Sequence, residues 1–152
     1  MNWQDLLNPD IQKFISANKN ADIKTLALKK SPNPNWPYAD IMNQIKAAQK
    51  AAQKFPNWQD KGLIWSSPDL IEQSSSYPCA TFKASLVSGG IFADLTAGSG
   101  ADTLAFAQKF KQGYAIEKDQ ISAEILDHNC KILNAQNVTV KNQSAEEFVK
   151  TM

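Results

Sequence analysis

Arginine is absent from this sequence: all sixteen basic residues are lysines, set against fifteen acidic residues for a net charge of +1. The planar guanidinium fork that grips phosphate or guanine bidentately is therefore missing, and a nucleic-acid surface would have to use lysine point charges and aromatic stacking. The near-neutral balance also provides no strong overall field to draw in a polyanion. Histidine and cysteine are scarce. His128, Cys79 and Cys130 are the whole supply, with no Cys-x-x-Cys and no His/Cys cluster, so no metal is expected and the cysteines read as reduced thiols. There is no basic-plus-apolar leader and no apolar run of membrane-spanning length, which makes the cytoplasm the default address and leaves no membrane partner expected.

What is present is ordinary globular composition, 43% hydrophobic and 20% charged over 152 residues, enough for a sizeable core. One stretch stands out: Ile91-Phe92-Ala93-Asp94-Leu95-Thr96-Ala97-Gly98-Ser99-Gly100-Ala101-Asp102-Thr103-Leu104. A short apolar run ending in a carboxylate is the usual form of a central parallel strand whose C-terminal end faces a ligand crevice. Gly98 and Gly100 allow a sharp turn with no side chain in the way, and a helix starting at Ala101 points free N–H groups back to the same spot. The next strand, Tyr114-Ala115-Ile116, runs into Glu117, where doubly wound cofactor folds place the acid that accepts from ribose hydroxyls. A lone Gly-x-Gly also marks plain tight turns; here two acids accompany it.

Taken in order, Asn8-Pro9 followed by Ile11, Phe14 and Ile15 predicts a capped helix, and a short one begins at Asp22 with Ile23 and Leu26. Three prolines between Ser31 and Pro37 break regular structure. Tyr38 to Phe55 is the longest predicted helix, with Ile41, Ile45, Ala48 and Ala52 on one face and Lys46, Lys50 and Lys54 on the other, a solvated row or an RNA-contacting ridge. Leu63-Ile64-Trp65 reads as a short strand and Glu72-Gln73-Ser74-Ser75-Ser76 as a loop. Pro78 to Val87 reads as a helix closed by Gly89-Gly90 before the strand at Ile91. Beyond Gly100, a helix from Ala101 to Phe110, the strand to Glu117, a helix capped by Asp119 and carrying Ile121, Ile125, Ile132 and Leu133, and the strand Val138-Thr139-Val140 repeat the pattern. Such alternation predicts an α/β fold with a parallel sheet.

The cluster Glu72-Gln73-Ser74-Ser75-Ser76 with Ala80 and Lys83, the motif Asp94 to Thr103, then Ala115-Ile116-Glu117 and His128-Asn129, resembles the class I S-adenosylmethionine-dependent methyltransferases. It resembles in particular the Bacteroidetes group related to RNA guanine-N2 methyltransferases. That family places a helical N-terminal domain before the catalytic fold and a THUMP-like domain after it. The resemblance implies residues 1–71 as a helical N-terminal domain and connector. It implies 72–152 as the first half of a Rossmann-like methyltransferase sheet, three parallel strands in order three-two-one.

The cofactor it implies is S-adenosylmethionine, and the substrate an RNA guanine amine. The family's first motif falls on Asp94, Thr96, Ala97, Gly98 and Gly100, with Asp102 following, near the amino-acid part of the cofactor. Glu117, with Lys118 beside it, matches the ribose-binding acid. Ser144-Ala145 stands where the family often has an aspartate meeting the adenine amino group; Ser144 with Glu147 is equally a capping box for the next helix. Tyr77 departs from an acid often found after the serine pair.

The family holds the reacting group of its substrate with an Asp/Asn-Pro-Pro-aromatic or Asp-Pro-Ala-Arg motif after a fourth strand, and none follows Val140. Asn33-Pro34-Asn35-Trp36 resembles that motif superficially but precedes the cofactor strand. No catalytic residue is assigned. The chain is expected to be a fragment holding the cofactor-binding half, inactive by itself, with an unpaired sheet edge through which it could self-associate or which the helical part could cover. Two rivals stand beside this reading. One is a non-catalytic helical interaction module fused to a degenerate half-Rossmann unit. The other is an NAD-type dinucleotide-binding domain, whose Gly-x-Gly-x-x-Gly fingerprint would need glycine at Thr103.

Overall fold

The structure, a computed structural model, describes residues 2–152. Caps written in the sequence start most of its helices. Asn8 accepts the N–H groups of Asp10 and Ile11 ahead of α1 (Pro9–Ala17), and Asp22 accepts that of Thr25 ahead of α2 (Ile23–Ala27). Such caps are worth about 1 kcal/mol each, because they satisfy donors the helix itself leaves unpaired. α3 (Tyr38–Lys54) follows the proline-rich stretch, and 3-10 turns occupy Trp3–Leu7 and Pro56–Trp58.

The buried side of α3 is Ile41, Met42, Gln44, Ile45, Ala47 and Ala51; Ala48 is half-buried and Ala52 exposed, against the sequence expectation. Phe55, one turn beyond Ala51, is fully buried and turns that line of the helix inward. The lysine row also differs from a plain solvated face. Lys50 pairs with Glu72, and Lys54 donates to the carbonyls of Glu72 and Ser74. Two of the three lysines thus clamp α3 to the C-terminal end of α4 (Pro68–Gln73), where unpaired carbonyls favour a cation.

Glu72 and Gln73 belong to α4 and not to a loop. Ser67 caps that helix through the Leu70 N–H at 3.1 Å and Pro68 opens it, so only Ser74 to Ser76 connects to α5 (Tyr77–Ser85). Leu63-Ile64-Trp65 forms no strand. The segment is extended, but two buried amide side chains take the place of a neighbouring strand. Asn129 accepts the Ile64 N–H at 3.1 Å and donates to the Ile64 carbonyl at 2.6 Å; Gln44 accepts the Trp65 N–H at 2.9 Å and donates to the Trp65 carbonyl.

β1 (Gly89–Asp94), β2 (Phe110–Glu117) and β3 (Val138–Asn142) form one parallel sheet in the order β1-β2-β3, as expected, linked by α6 (Ala101–Ala107) and α7 (Gln120–Ile132) and followed by α8 (Ala145–Lys150). Gly89-Gly90 open β1 and do not stop a helix, and β2 begins at Phe110, where a helix end was expected. The reason is the packing of Phe110 on Phe92, with ring centroids 5.3 Å apart, over the bare backbone of Gly89.

The helical stretch and the sheet share their cores. Trp3, Leu6, Ile11, Leu26, Ile41 and Ile45 cluster with Ile125 of α7, while Ala47, Ala51, Phe55 and Trp65 pack with Ala101 at the start of α6. Ala115, Leu126 and Val138 make the layer between the sheet and α7. The N-terminal helices are therefore spent on the α6 and α7 side and leave β1 open. β1 has the form of a central strand but carries the unpaired edge expected of it in this chain: Ile91 is 64% exposed and no strand pairs with its outer side among the described residues.

Candidate functional site

Parallel pairing brings the ends of all three strands to one rim, with Asp94 opposite Ala115 and Glu117 opposite Asn142. Between β1 and α6 the chain makes the glycine turn, with Gly98 at φ 53° and Gly100 at φ 84°, values that glycine adopts without steric cost. The Ala97 N–H donates to the Ile116 carbonyl at 3.0 Å, which stitches the turn to β2. Glu117 then reaches across: one carboxylate oxygen accepts the Gly98 N–H at 3.1 Å and the other the Asp119 N–H at 2.9 Å. Asp94 accepts the Thr96 N–H at 3.2 Å and the Thr103 hydroxyl at 2.7 Å. Thr103 is fully buried, so the acid at the end of β1 is oriented by a side chain that cannot move away.

The serine loop meets the same turn from outside. The Ser74 and Ser99 hydroxyls are 2.5 Å apart, and Ser75 and Lys83 donate to one oxygen of Asp102 at 3.0 and 2.6 Å. The other Asp102 oxygen is buried with no partner. Asp94, Gly98, Gly100, Asp102 and Glu117 are thus gathered around one turn. Thr96 and Lys118 are exposed beside it, and Ala97 is buried beneath it.

Ser144 and Ala145 lie at the same rim, after β3. Ser144 forms the reciprocal capping box of α8: its hydroxyl accepts the Glu147 N–H at 3.2 Å and its own N–H donates to the Glu147 carboxylate at 2.9 Å. Sequence reasoning left four residues out of the site, namely Ser75, Ser99, Thr103 and Asn142. Asn142 donates to the carbonyls of Glu117 and Lys118, both at 3.0 Å, and so fixes the bend after β2. An asparagine ending the strand beside the acid was its only signal.

Among the ionisable groups nearby, hydrogen bonds from Ser122 hold the Asp119 carboxyl below its ordinary value. Burial pushes the Cys130 thiol up to about 12, which makes it a core residue and not a nucleophile. No group of three or more metal-ligating side chains occurs among the described residues, and no helix there is long and apolar enough to cross a membrane.

A strand, glycine turn and helix followed by a second strand ending in an acid, in a three-stranded parallel sheet with a helical cover, is the arrangement of half of a Rossmann-like fold. Residues 89–152 match the family of RNA cap guanine-N2 methyltransferases. A crystal structure of a candidate methyltransferase from Porphyromonas gingivalis W83 is similar over 99% of this chain, with a TM-score of 0.77 and 24% identity. This chain spans 38% of that protein's length. An rRNA methylase from Streptococcus thermophilus is similar over 48% of this chain and 45% of its own, at 22% identity and a TM-score of 0.43. No curated protein matches the chain. The fold is thus shared over nearly the whole chain with the Porphyromonas protein, and the match to the guanine-N2 methyltransferase family lies in the sheet-forming residues 89–152.

Proposed function

We propose that these residues form the S-adenosylmethionine-binding half of a methyltransferase acting on RNA, with a guanine amine as the methyl acceptor. The observation that supports it most is the acid at the end of β2 fastened to the glycine turn after β1, within the stretch that matches the guanine-N2 methyltransferase family. The residues fit such a cofactor. A Cβ added at Gly98 would already touch Leu70 at 3.4 Å, so the turn presents bare backbone. Asp102 keeps a buried oxygen without a partner. Each carboxylate of Asp94 and Glu117 has lone pairs beyond the two bonds it accepts.

In this reading Glu117, with Lys118 beside it, holds the ribose. Asp94, Thr96, Ala97, Gly98, Gly100 and Asp102 face the amino-acid part, and Ser144 and Ala145 border the adenine. When bound, the cofactor supplies a methyl group on a sulfonium, activated enough that the protein need not form a covalent intermediate. The chain's own contribution is orientation: Thr103 and Ser75 fix Asp94 and Asp102 before any ligand arrives, and such pre-positioning is a large part of what an enzyme gives a two-reactant transfer. Residues 1–71 act as the helical cover and 72–152 as the cofactor unit. Residues that would hold the acceptor amine and take its proton are not among those assigned, so no methyl transfer is expected from this chain alone. The open edge of β1 is where a further strand or a second copy would add.

The NAD alternative is disfavoured by Thr103, which fills the third-glycine position with a buried side chain bonded to Asp94. Calorimetric titration with S-adenosylhomocysteine and with NAD tests the reading: binding of the first and not the second is expected. Binding of NAD alone, or of neither, would leave the dinucleotide or the interaction-module reading in its place.

A further inference from the structure

A cleft of about 690 Å³ lies on the helical side between α1, α3 and the stretch from Trp58 to Trp65, and none of the strand-end residues lines it. Its aromatic wall is built: Trp58 stacks on buried Phe55 with ring centroids 4.4 Å apart, and the Trp65 ring lies near-parallel at 6.4 Å. The opposite chemistry comes from amides. Gln12, Gln49 and Gln59 each donate their NH₂ to a backbone carbonyl, of Leu6, Ala21 and Phe55, at 2.6, 2.8 and 3.3 Å. A carbonyl can only accept, so each of these amides is fixed with its oxygen left as an acceptor. The small side chains of Ala48 and Ala52 keep the space between wall and amides open. At the rim the Asp60 carboxylate is taken by Lys19 at 3.0 Å, while Lys61 is exposed and paired with no carboxylate among the described residues.

An indole wall, fixed acceptors and one free ammonium match an unpaired nucleotide: a base stacks, its exocyclic amine donates, its phosphate meets the lysine. We infer that this cleft binds single-stranded RNA, with preference for bases that carry an amino group over uracil. The inference rests on the proposal that the protein acts on RNA and extends it to a surface remote from the cofactor turn. Lacking arginine, the chain uses the stacking and lysine contacts that remain available to it.

The test is fluorescence anisotropy of labelled ten-residue oligo(A) and oligo(U) RNA with the whole chain, Ala52→Glu and Lys61→Glu, alongside titration with S-adenosylhomocysteine. Both substituted positions are exposed, so the fold is kept, and thermal melts verify it. The expected result is tighter binding of oligo(A) than of oligo(U). Each substitution should weaken oligo(A) by about tenfold or more, the scale of losing one stacked or phosphate contact, with cofactor-product binding unchanged. RNA binding that both variants retain would overturn the cleft and leave the RNA proposal standing. Absence of RNA binding by the unaltered chain, with S-adenosylhomocysteine still bound, would remove the RNA proposal and this inference with it. Loss of S-adenosylhomocysteine binding alone would count against the cofactor proposal and leave the cleft supported.

Discussion

Glu117 holds Gly98: the carboxylate that ends β2 accepts, at 3.1 Å, a backbone N–H from the turn that follows β1. The acid is therefore part of the architecture of the turn as well as a proposed ligand group. Glu117→Ala is expected to weaken S-adenosylhomocysteine binding by about 1.5–3 kcal/mol, the range for a hydrogen bond to a charged group, and also to lower unfolding stability by about 1–2 kcal/mol. Calorimetry and urea denaturation measure the two effects. Unchanged affinity with lowered stability would reduce Glu117 to a purely structural role.

Gly100 tests how tightly the same turn is packed. It sits at φ 84°, and a Cβ there would come within 2.4 Å of Leu126 Cδ1, whose side chain is itself buried. Gly100→Ala should cost about 2–4 kcal/mol, combining left-handed strain with overpacking. Gly90→Ala, where a Cβ would meet nothing within 4 Å, is the control and should shift the urea midpoint little.

Asn129 carries both hydrogen bonds to the backbone of Ile64. Asn129→Ala strands a buried N–H and a buried C=O, and is expected to destabilise by about 2–4 kcal/mol. Asn129→Asp keeps the acceptor but turns the donor into a second oxygen against the Ile64 carbonyl. It should be no better tolerated, and a midpoint close to that of the unaltered chain would disprove the pairing.

His128 gives a pH signature. Burial, then the charge of Lys131, holds its folded pKa below the unfolded value of 6.5, with Asp127 opposing. Its ring lies 5.2 Å from that of Trp3. The unfolded chain consequently takes up the proton first, so stability is full above about pH 6.5 and falls as pH drops through that value towards the folded pKa. Urea midpoints at pH 7.5 and 5.5 should differ for the unaltered chain and differ less for His128→Gln. An equal midpoint difference in the two proteins would show the imidazole to be solvated.

The pattern of strand, turn and acid was legible because each element is local: alternating apolar runs, glycines at a fixed interval, caps one residue ahead of their helices. Asp94, Gly98, Gly100 and Glu117 come together from 24 residues of sequence for that reason. What stayed hidden depends on contacts distant in sequence. Leu63-Ile64-Trp65 has the composition of a strand, and nothing local reveals that Gln44 and Asn129 would supply its partners. The lysines of α3 read as a solvated row because Glu72 and Ser74, about twenty positions on, are invisible to helical periodicity. Thr103 looked like a missing glycine and is instead the residue that orients Asp94.

The open side of β1 has a measurable kinetic face. β2 is paired along both of its sides, whereas among the described residues no strand pairs with the outer side of β1. Deuterium should enter β1 well before β2, although the two strands are equally regular. Any molecule that completes the sheet would slow uptake selectively along Gly89 to Asp94. The exchange rate of six residues is therefore a direct reporter of whether anything adds to the open edge.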